Sequence, residues 1–289
     1  MKDLNTLAVL MWRRRAARLV GVLPDIRGRA QVARRLQPSD ATSVTWSLRS
    51  NGFAFELPSS SSIAWRVACT REYDRAEVDY LSRFISPETT VLDIGASMGL
   101  WTVPLANVAK ARGAETVAFE PMPANVGWLE RNLALNDLEV TVNPVALGAE
   151  HGSAHMSTNE ADGGNAVLGV DGPPGETQVE VPVRRLDDFS LPSRVSLVKV
   201  DVEGFEVEVL RGAMEMIRRD RPIIFGEFNP IWLEIREVDV GELFDDLRDL
   251  GYEIFALEAT RTRPWMATRR VAPRQPADLG VGDLLLKPR

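Results

Sequence analysis

Cysteine is nearly missing from this chain: Cys69 is the only one in 289 residues. A single cysteine permits neither an intramolecular disulfide nor a cysteine metal cluster, and it fits a reducing compartment. Histidine is almost as scarce, with only His151 and His155, so histidine-rich metal chemistry is not expected and no metal site is assigned. No apolar run approaches the roughly 18 residues of a membrane-spanning helix. Positive charge is in deficit, at a net of -7, which argues against a general nucleic-acid binder. Also missing is a G-x-G-x-x-G turn after a strand, which disfavours an NAD-dependent oxidoreductase.

What is present can build a large core, since 45% of the residues are hydrophobic. The expected division is a basic extension of helices and a hairpin over residues 1–70 and one α/β domain over residues 71–289. Residues 1–38 hold nine basic side chains, among them Arg13, Arg14, Arg15 and Arg18, against Asp3 and Asp25, leaving about -14 for the remainder. Such a surface suits a peripheral membrane face or a carrier protein, or is simply a solvated helix face. Its order, apolar Leu4 to Trp12 and then arginines, is the reverse of a signal peptide, and a cytoplasmic location is expected. Ser50-Asn51-Gly52 between two alternating runs predicts a hairpin.

The organising stretch is residues 91–100, where an apolar strand runs into the turn Asp93-x-Gly95-x-x-x-Gly99 and then a helix. Glycines there let backbone approach a ligand, but an acid at the strand end faces a diphosphate badly. S-adenosylmethionine, with an ammonium, a sulfonium and no phosphate, suits it better. A second strand over residues 116–119 ends in Glu120-Pro121, where a carboxylate can accept both ribose hydroxyls of an adenosine. Glu120 is equally a helix N-terminal acid favoured by the dipole of the helix predicted from Pro123 to Leu135. Residues 139–143 read as a third strand, with Val145 and Ala146 in its exit beside the adenine.

Residues 149–178, rich in glycine, asparagine, aspartate and proline, form a long irregular stretch, read as a lid, a substrate loop or disorder. A fourth strand, residues 195–200, brings Lys199 and Asp201 to one side because side chains repeat every two residues. Glu203 follows, and a helix is predicted from about Phe205 to Arg219. In the fifth strand Glu227 is a late polar residue in an apolar run, which marks a site or a buried pair. Residues 252–257 and 282–287 complete the strands, with a basic surface loop between them.

Six blocks in order resemble the FkbM family of S-adenosylmethionine-dependent methyltransferases. They are Val-Leu-Asp-Ile-Gly-Ala-Ser-Met-Gly (91–99), Ala-Phe-Glu-Pro-Met-Pro-Ala-Asn (118–125), Arg-Asn-Leu-Ala-Leu-Asn (131–136), Val-Ala-Leu-Gly (145–148), Arg-Leu-Asp-Asp-Phe (185–189) and the run from Val198 to Ala213. The resemblance implies a class I methyltransferase, Rossmann-like, with a seven-stranded sheet whose last strand is antiparallel. It also implies methylation of a hydroxyl on a sugar, glycolipid or polyketide-like product. By position, Asp93, Gly95, Ala96, Ser97 and Gly99 form the methionine-side turn, Glu120 the ribose clamp, and Asp201 the acid beside the reactive methyl. Ser97 departs from the family, which usually has asparagine there.

Alignment of acceptor, methyl and sulfur supplies much of the acceleration in such a transfer. An alcohol acceptor also needs a base. Asp201 is the first candidate, Glu203 and Glu227 the next, and Lys199 is a cation that lowers the pKa of a neighbouring carboxylate or hydroxyl. Magnesium chelation by Asp201, Glu227 and Asn229 is an alternative, and a non-catalytic adenosine-binding scaffold is another.

Overall fold

The structure, a computed structural model, describes residues 4–22, 28–37, 44–158, 166–168, 178–261, 269–274 and 282–289. The described residues fall into two compact units. One holds the residues up to Ala76 with 260–261 and 269–270, and the other holds the rest from Glu77 onward.

In the first unit, helices α1 (Leu4–Val22), α2 (Arg29–Leu36) and α3 (Ser62–Thr70) accompany the hairpin β1 (Thr45–Ser50) and β2 (Phe53–Pro58). The hairpin turns at Asn51 and Gly52, both with positive φ, as Ser-Asn-Gly predicts. Its core is aromatic: Trp46 meets Trp65 edge-on at 4.8 Å, and the Trp65 indole N–H donates to the Ser59 carbonyl at 2.7 Å. Arg29, only 7% exposed, staples α2 to the end of α3 by donating to the carbonyls of Cys69 and Thr70, each at 2.7 Å.

The second unit opens within α4 (Arg75–Leu81), which runs on into a 3-10 turn at Ser82–Phe84. It then builds β3 (Thr90–Ile94), α5 (Thr102–Ala111), β4 (Glu115–Phe119), α6 (Pro123–Ala134) and β5 (Thr141–Asn143). A smaller sheet follows, from β6 (Ala146–Leu147), β7 (Gly152–Thr158), β8 (Ala166–Leu168) and β9 (Gln178–Arg184), in the order β6-β9-β7-β8. The main sheet resumes at β10 (Val195–Val200), and then come α7 (Glu206–Arg211), α8 (Met214–Asp220), β11 (Ile223–Phe228), α9 (Pro230–Ile235), α10 (Gly241–Asp249), β12 (Tyr252–Arg261), β13 (Arg269–Arg274) and β14 (Gly282–Pro288).

The main sheet has the order β13-β12-β14-β11-β10-β3-β4-β5. β5, β4, β3, β10 and β11 run parallel, and β14 lies antiparallel between β11 and β12. The sheet therefore contains the seven strands expected plus an eighth, β13, at the edge. Three of the arginines assigned to a basic loop, Arg269, Arg270 and Arg274, lie on that added strand. Of the stretch expected to be irregular, residues 152–158 form β7, paired with β9, and residues 159–165 and 169–177 lie outside the described residues.

One core cluster joins one face of the parallel strands to the helices that cover it: Leu92, Ile94, Val117, Phe119, Val198, Val200 and Ile224 on the sheet, Val207, Leu210 and Ile217 on α7 and α8, and Leu243, Phe244 and Leu247 on α10. The helix predicted over residues 205–219 is broken into two. Asp187 accepts from the N–H groups of Glu215 (3.0 Å) and Met216 (2.8 Å), while its own N–H donates to the Gly212 carbonyl. That distant carboxylate caps a new helix start where local periodicity shows none.

Candidate active site

The carboxyl ends of β3, β4 and β10 meet at the turn of residues 94–99. Gly95 has φ of 77°, and a Cβ there would lie 1.9 Å from the Asp201 carbonyl oxygen. The chain after β10 thus passes against the glycine turn, fixed by the Asp201 N–H donating to the Ile94 carbonyl at 3.1 Å.

Beneath the contact sits Lys199, 2% exposed. Its ammonium donates to the Gly95 carbonyl at 3.0 Å and lies 3.3 Å from Asp93 Oδ1 and 3.4 Å from Asp201 Oδ2. Burial by itself would lower this lysine's pKa; the two carboxylates outweigh it and raise it above its ordinary value. Three acceptors around one ammonium leave Lys199 a fixed cation. Asp93 is 0% exposed and accepts from the Thr102 hydroxyl at 2.6 Å. Its strand-end carboxylate is therefore directed to an internal cation, a different partner from the ligand ammonium that the sequence brings to mind.

Glu120 is 4% exposed. Its Oε2 accepts from the Ser97 N–H at 2.8 Å, and its Oε1 from the Met122 N–H at 3.0 Å and the Asn125 amide at 3.2 Å. Burial raises its pKa, and those donors together with Lys199 act against the rise. Ser97 lies in the left-handed region at φ 49°, which asparagine tolerates better than serine. Pro121 and Val145 are half-buried, Ala96 is buried, and Ala146 packs with Met122, Met156 and Val181 under the turn after β4. On the β3 side, Asn132, in the last turn of α6, donates to the Met98 carbonyl at 2.8 Å.

After β10, Asp201 keeps its side chain 32% exposed. Glu203 follows with φ of 51°, and its carboxyl is raised, first by burial and then by the charge of Asp201, while a hydrogen bond with Trp232 opposes the rise. Glu206 is the residue that sequence reasoning missed. It is 0% exposed, and its Oε1 accepts from the N–H groups of Val202 (3.0 Å) and Gly204 (3.2 Å), tying the Asp201–Gly204 turn to α7. Burial pushes its carboxyl up to about 7 against those hydrogen bonds, and its Oε2 is buried with no hydrogen-bond partner.

Two sequence expectations change here. The sequence predicts Glu227 as a polar group inside a buried strand, but its side chain is exposed, in register with Asp283 of β14, so desolvation does not mark it as a site. Asn229, offered as a magnesium ligand, instead caps α9 by accepting from the Ile231 N–H at 3.0 Å.

Five parallel strands, an antiparallel strand inserted beside the fifth, a glycine turn after β3 and an acid after β4 define a class I S-adenosylmethionine-dependent methyltransferase fold. The description of the Methyltransferase FkbM domain matches residues 93–254, more than half of the chain, and the chain belongs to that family. It is 30% identical to Methyltransferase 1 of Beauveria bassiana (strain ARSEF 2860), over 43% of this chain and 58% of that protein. It is 28% identical to Methyltransferase sdnD of Sordaria araneosa, over 43% of this chain and 60% of that protein. The chain thus spans less than two thirds of the length of these curated relatives. Among solved structures it is similar to the FkbM methyltransferase of Methylobacillus flagellatus KT, at 16% identity and TM-score 0.42, covering 89% of this chain and 58% of that one.

The family's cofactor is S-adenosyl-L-methionine, and the turn's donors fit it. The N–H groups of Gly95 and Ala96 go to the Phe119 carbonyl, that of Ser97 to Glu120 and that of Gly99 to the Ala96 carbonyl. These four are spent internally, whereas a pyrophosphate would require such groups to be free.

Proposed function

We propose that this chain transfers a methyl group from S-adenosylmethionine to a hydroxyl oxygen of a small-molecule or glycan acceptor of the sugar, glycolipid or polyketide-like kind. The observation that carries the reading is the clamp made by Lys199. One buried ammonium ties the Gly95 turn to Asp201, so a cofactor on the turn and an acceptor beside Asp201 are held in one frame. Bound S-adenosylmethionine supplies a methyl carbon whose bond to sulfur breaks as the bond to the acceptor oxygen forms.

The chain's own residues bind, orient and take the proton. Glu120, with three donors already on it, retains by count one lone pair on Oε2 for a ribose hydroxyl. The Gly95 turn, its carbonyl engaged by Lys199 beneath it, and Asp201 hold the methionine end. Glu203, whose raised carboxyl is matched to proton uptake nearer neutrality, accepts the acceptor's hydroxyl proton and releases it to water after transfer. Asp201 orients the acceptor beside it. The basis for placing the chemistry here is that both acids project from the turn that Glu206 holds.

Calorimetry and single-turnover assays over an acceptor panel test this reading. S-adenosylhomocysteine should bind and NAD should not; the reverse overturns the assignment. Glu203→Gln should cut turnover by roughly 10² to 10⁴ with far less change in cofactor affinity. Loss in Asp201→Asn with Glu203→Gln near native would move proton transfer to Asp201. Activity abolished by EDTA and restored by magnesium would assign the acids to metal binding. Cofactor binding without turnover on any acceptor would favour an adenosine-binding scaffold.

A further inference from the structure

Helix α1 has an inner and an outer face, and the outer one has no cover among the described residues. Inward, Ala17 is 0% exposed, Arg14 stacks over Trp46 at 5.1 Å, and Gly21 lies so close to α3 that a Cβ would come within 2.4 Å of the Ala68 carbonyl. Outward stand Met11 (54% exposed), Trp12 (65%), Leu19 (67%) and Val22 (62%), together with exposed Arg15 and Arg18. At about 100° per residue these six share an arc of roughly 120°. Single exposed apolar residues are ordinary on a protein surface, but four large ones on one stripe are a binding feature.

We propose that this face is an interfacial patch that docks the chain on an anionic lipid surface. The helix carries Arg13, Arg14, Arg15 and Arg18 and no acidic residue, in a chain whose net charge is -7. Two of the four, Arg15 and Arg18, lie on the arc of the apolar stripe, so exposed positive charge and exposed apolar surface share one face. Trp12 suits the headgroup level, and Arg15 and Arg18, on the same arc, reach phosphates while their stems stay with the apolar groups. An acidic carrier protein would use the arginines but leave the tryptophan and three aliphatic side chains without a low-dielectric partner. The mode is lying on the surface: no helix among the described residues is long and apolar enough to cross a membrane.

The test is vesicle flotation of the full chain at low salt, with phosphatidylcholine alone and with phosphatidylglycerol added. The wild type should float only with the anionic vesicles, and less as salt rises. Arg15→Glu/Arg18→Glu and Trp12→Ala/Leu19→Ala should each weaken partitioning by about tenfold or more. All four side chains are exposed, so circular dichroism should match the wild type. Absence of flotation with anionic vesicles overturns the proposal, as does equal flotation of wild type and both variants. Capture by an immobilised acidic carrier protein, with vesicles ignored, would also overturn it and give the face to a protein partner.

Discussion

Two buried ionisable residues divide the work at the site. Lys199 is balanced by Asp93 and Asp201 and stays charged, whereas Glu206 accepts two backbone N–H groups but has one oxygen with no partner. That difference makes Glu206 the titrating member. Its folded-state value, about 7, lies above the ordinary 4.5, so the folded chain holds this proton more tightly than the unfolded one. The resulting stability is fully present below pH 4.5 and is lost as pH rises through 7. Glu206→Gln, neutral throughout, should lack this slope. The stability difference between wild type and variant should change by up to about 3 kcal/mol across the window, with the variant gaining toward alkaline pH. Denaturant unfolding at a series of pH values measures it, and parallel curves would contradict the assignment.

At the scale of elements, the site is a crossing of two turns, one after β3 and one after β10. Both leave ordinary backbone space: Gly95 and Ser97 in the first and Glu203 and Gly204 in the second have positive φ. The approach of the Asp201 carbonyl allows no side chain at position 95. Gly95→Ala should therefore cost about 2 to 4 kcal/mol of stability, through clash and left-handed strain together. It should also abolish adenosylhomocysteine binding, because the turn must move off Asp201 to admit a methyl group. A thermal melt read beside a binding isotherm checks both, and a near-native variant would mean that the two turns separate freely.

For the whole molecule, the residues proposed for cofactor and catalysis, Asp93, Gly95, Glu120, Lys199, Asp201 and Glu203, all belong to the unit that begins at Glu77, whereas α1 belongs to the other. Substitutions at residues that share no partners behave additively. Arg15→Glu/Arg18→Glu should thus leave adenosylhomocysteine affinity within about twofold of wild type while it weakens lipid binding. Isotherms for the two variants of α1 decide this, and a large loss of cofactor affinity would show that the lipid face and the cofactor site are energetically coupled. Surface charge is organised in the same divided manner, with the arginines of α1 in a chain whose remainder is acidic.

Local signals in the sequence determined the parallel strands, the hairpin at Asn51-Gly52, the turn from Asp93 to Gly99 and the acid at Glu120. Each follows from short-range physics: side-chain alternation, glycine's access to positive φ, and apolar runs long enough for buried strands. Tertiary structure alone decided which charges meet. Lys199 finds the Gly95 carbonyl from 104 residues away, so nothing near Asp93 indicates that its carboxylate is neutralised from within. The split between α7 and α8 depends on Asp187, whose bonds to Glu215 and Met216 come from 28 and 29 residues upstream. Glu227 reads as buried from its neighbours, yet its exposure depends on which face of β11 is covered, and that is set by packing across the sheet. Glu206 looks like one more acid at a helix start until folding removes water from it, because desolvation is a property of the assembled interior.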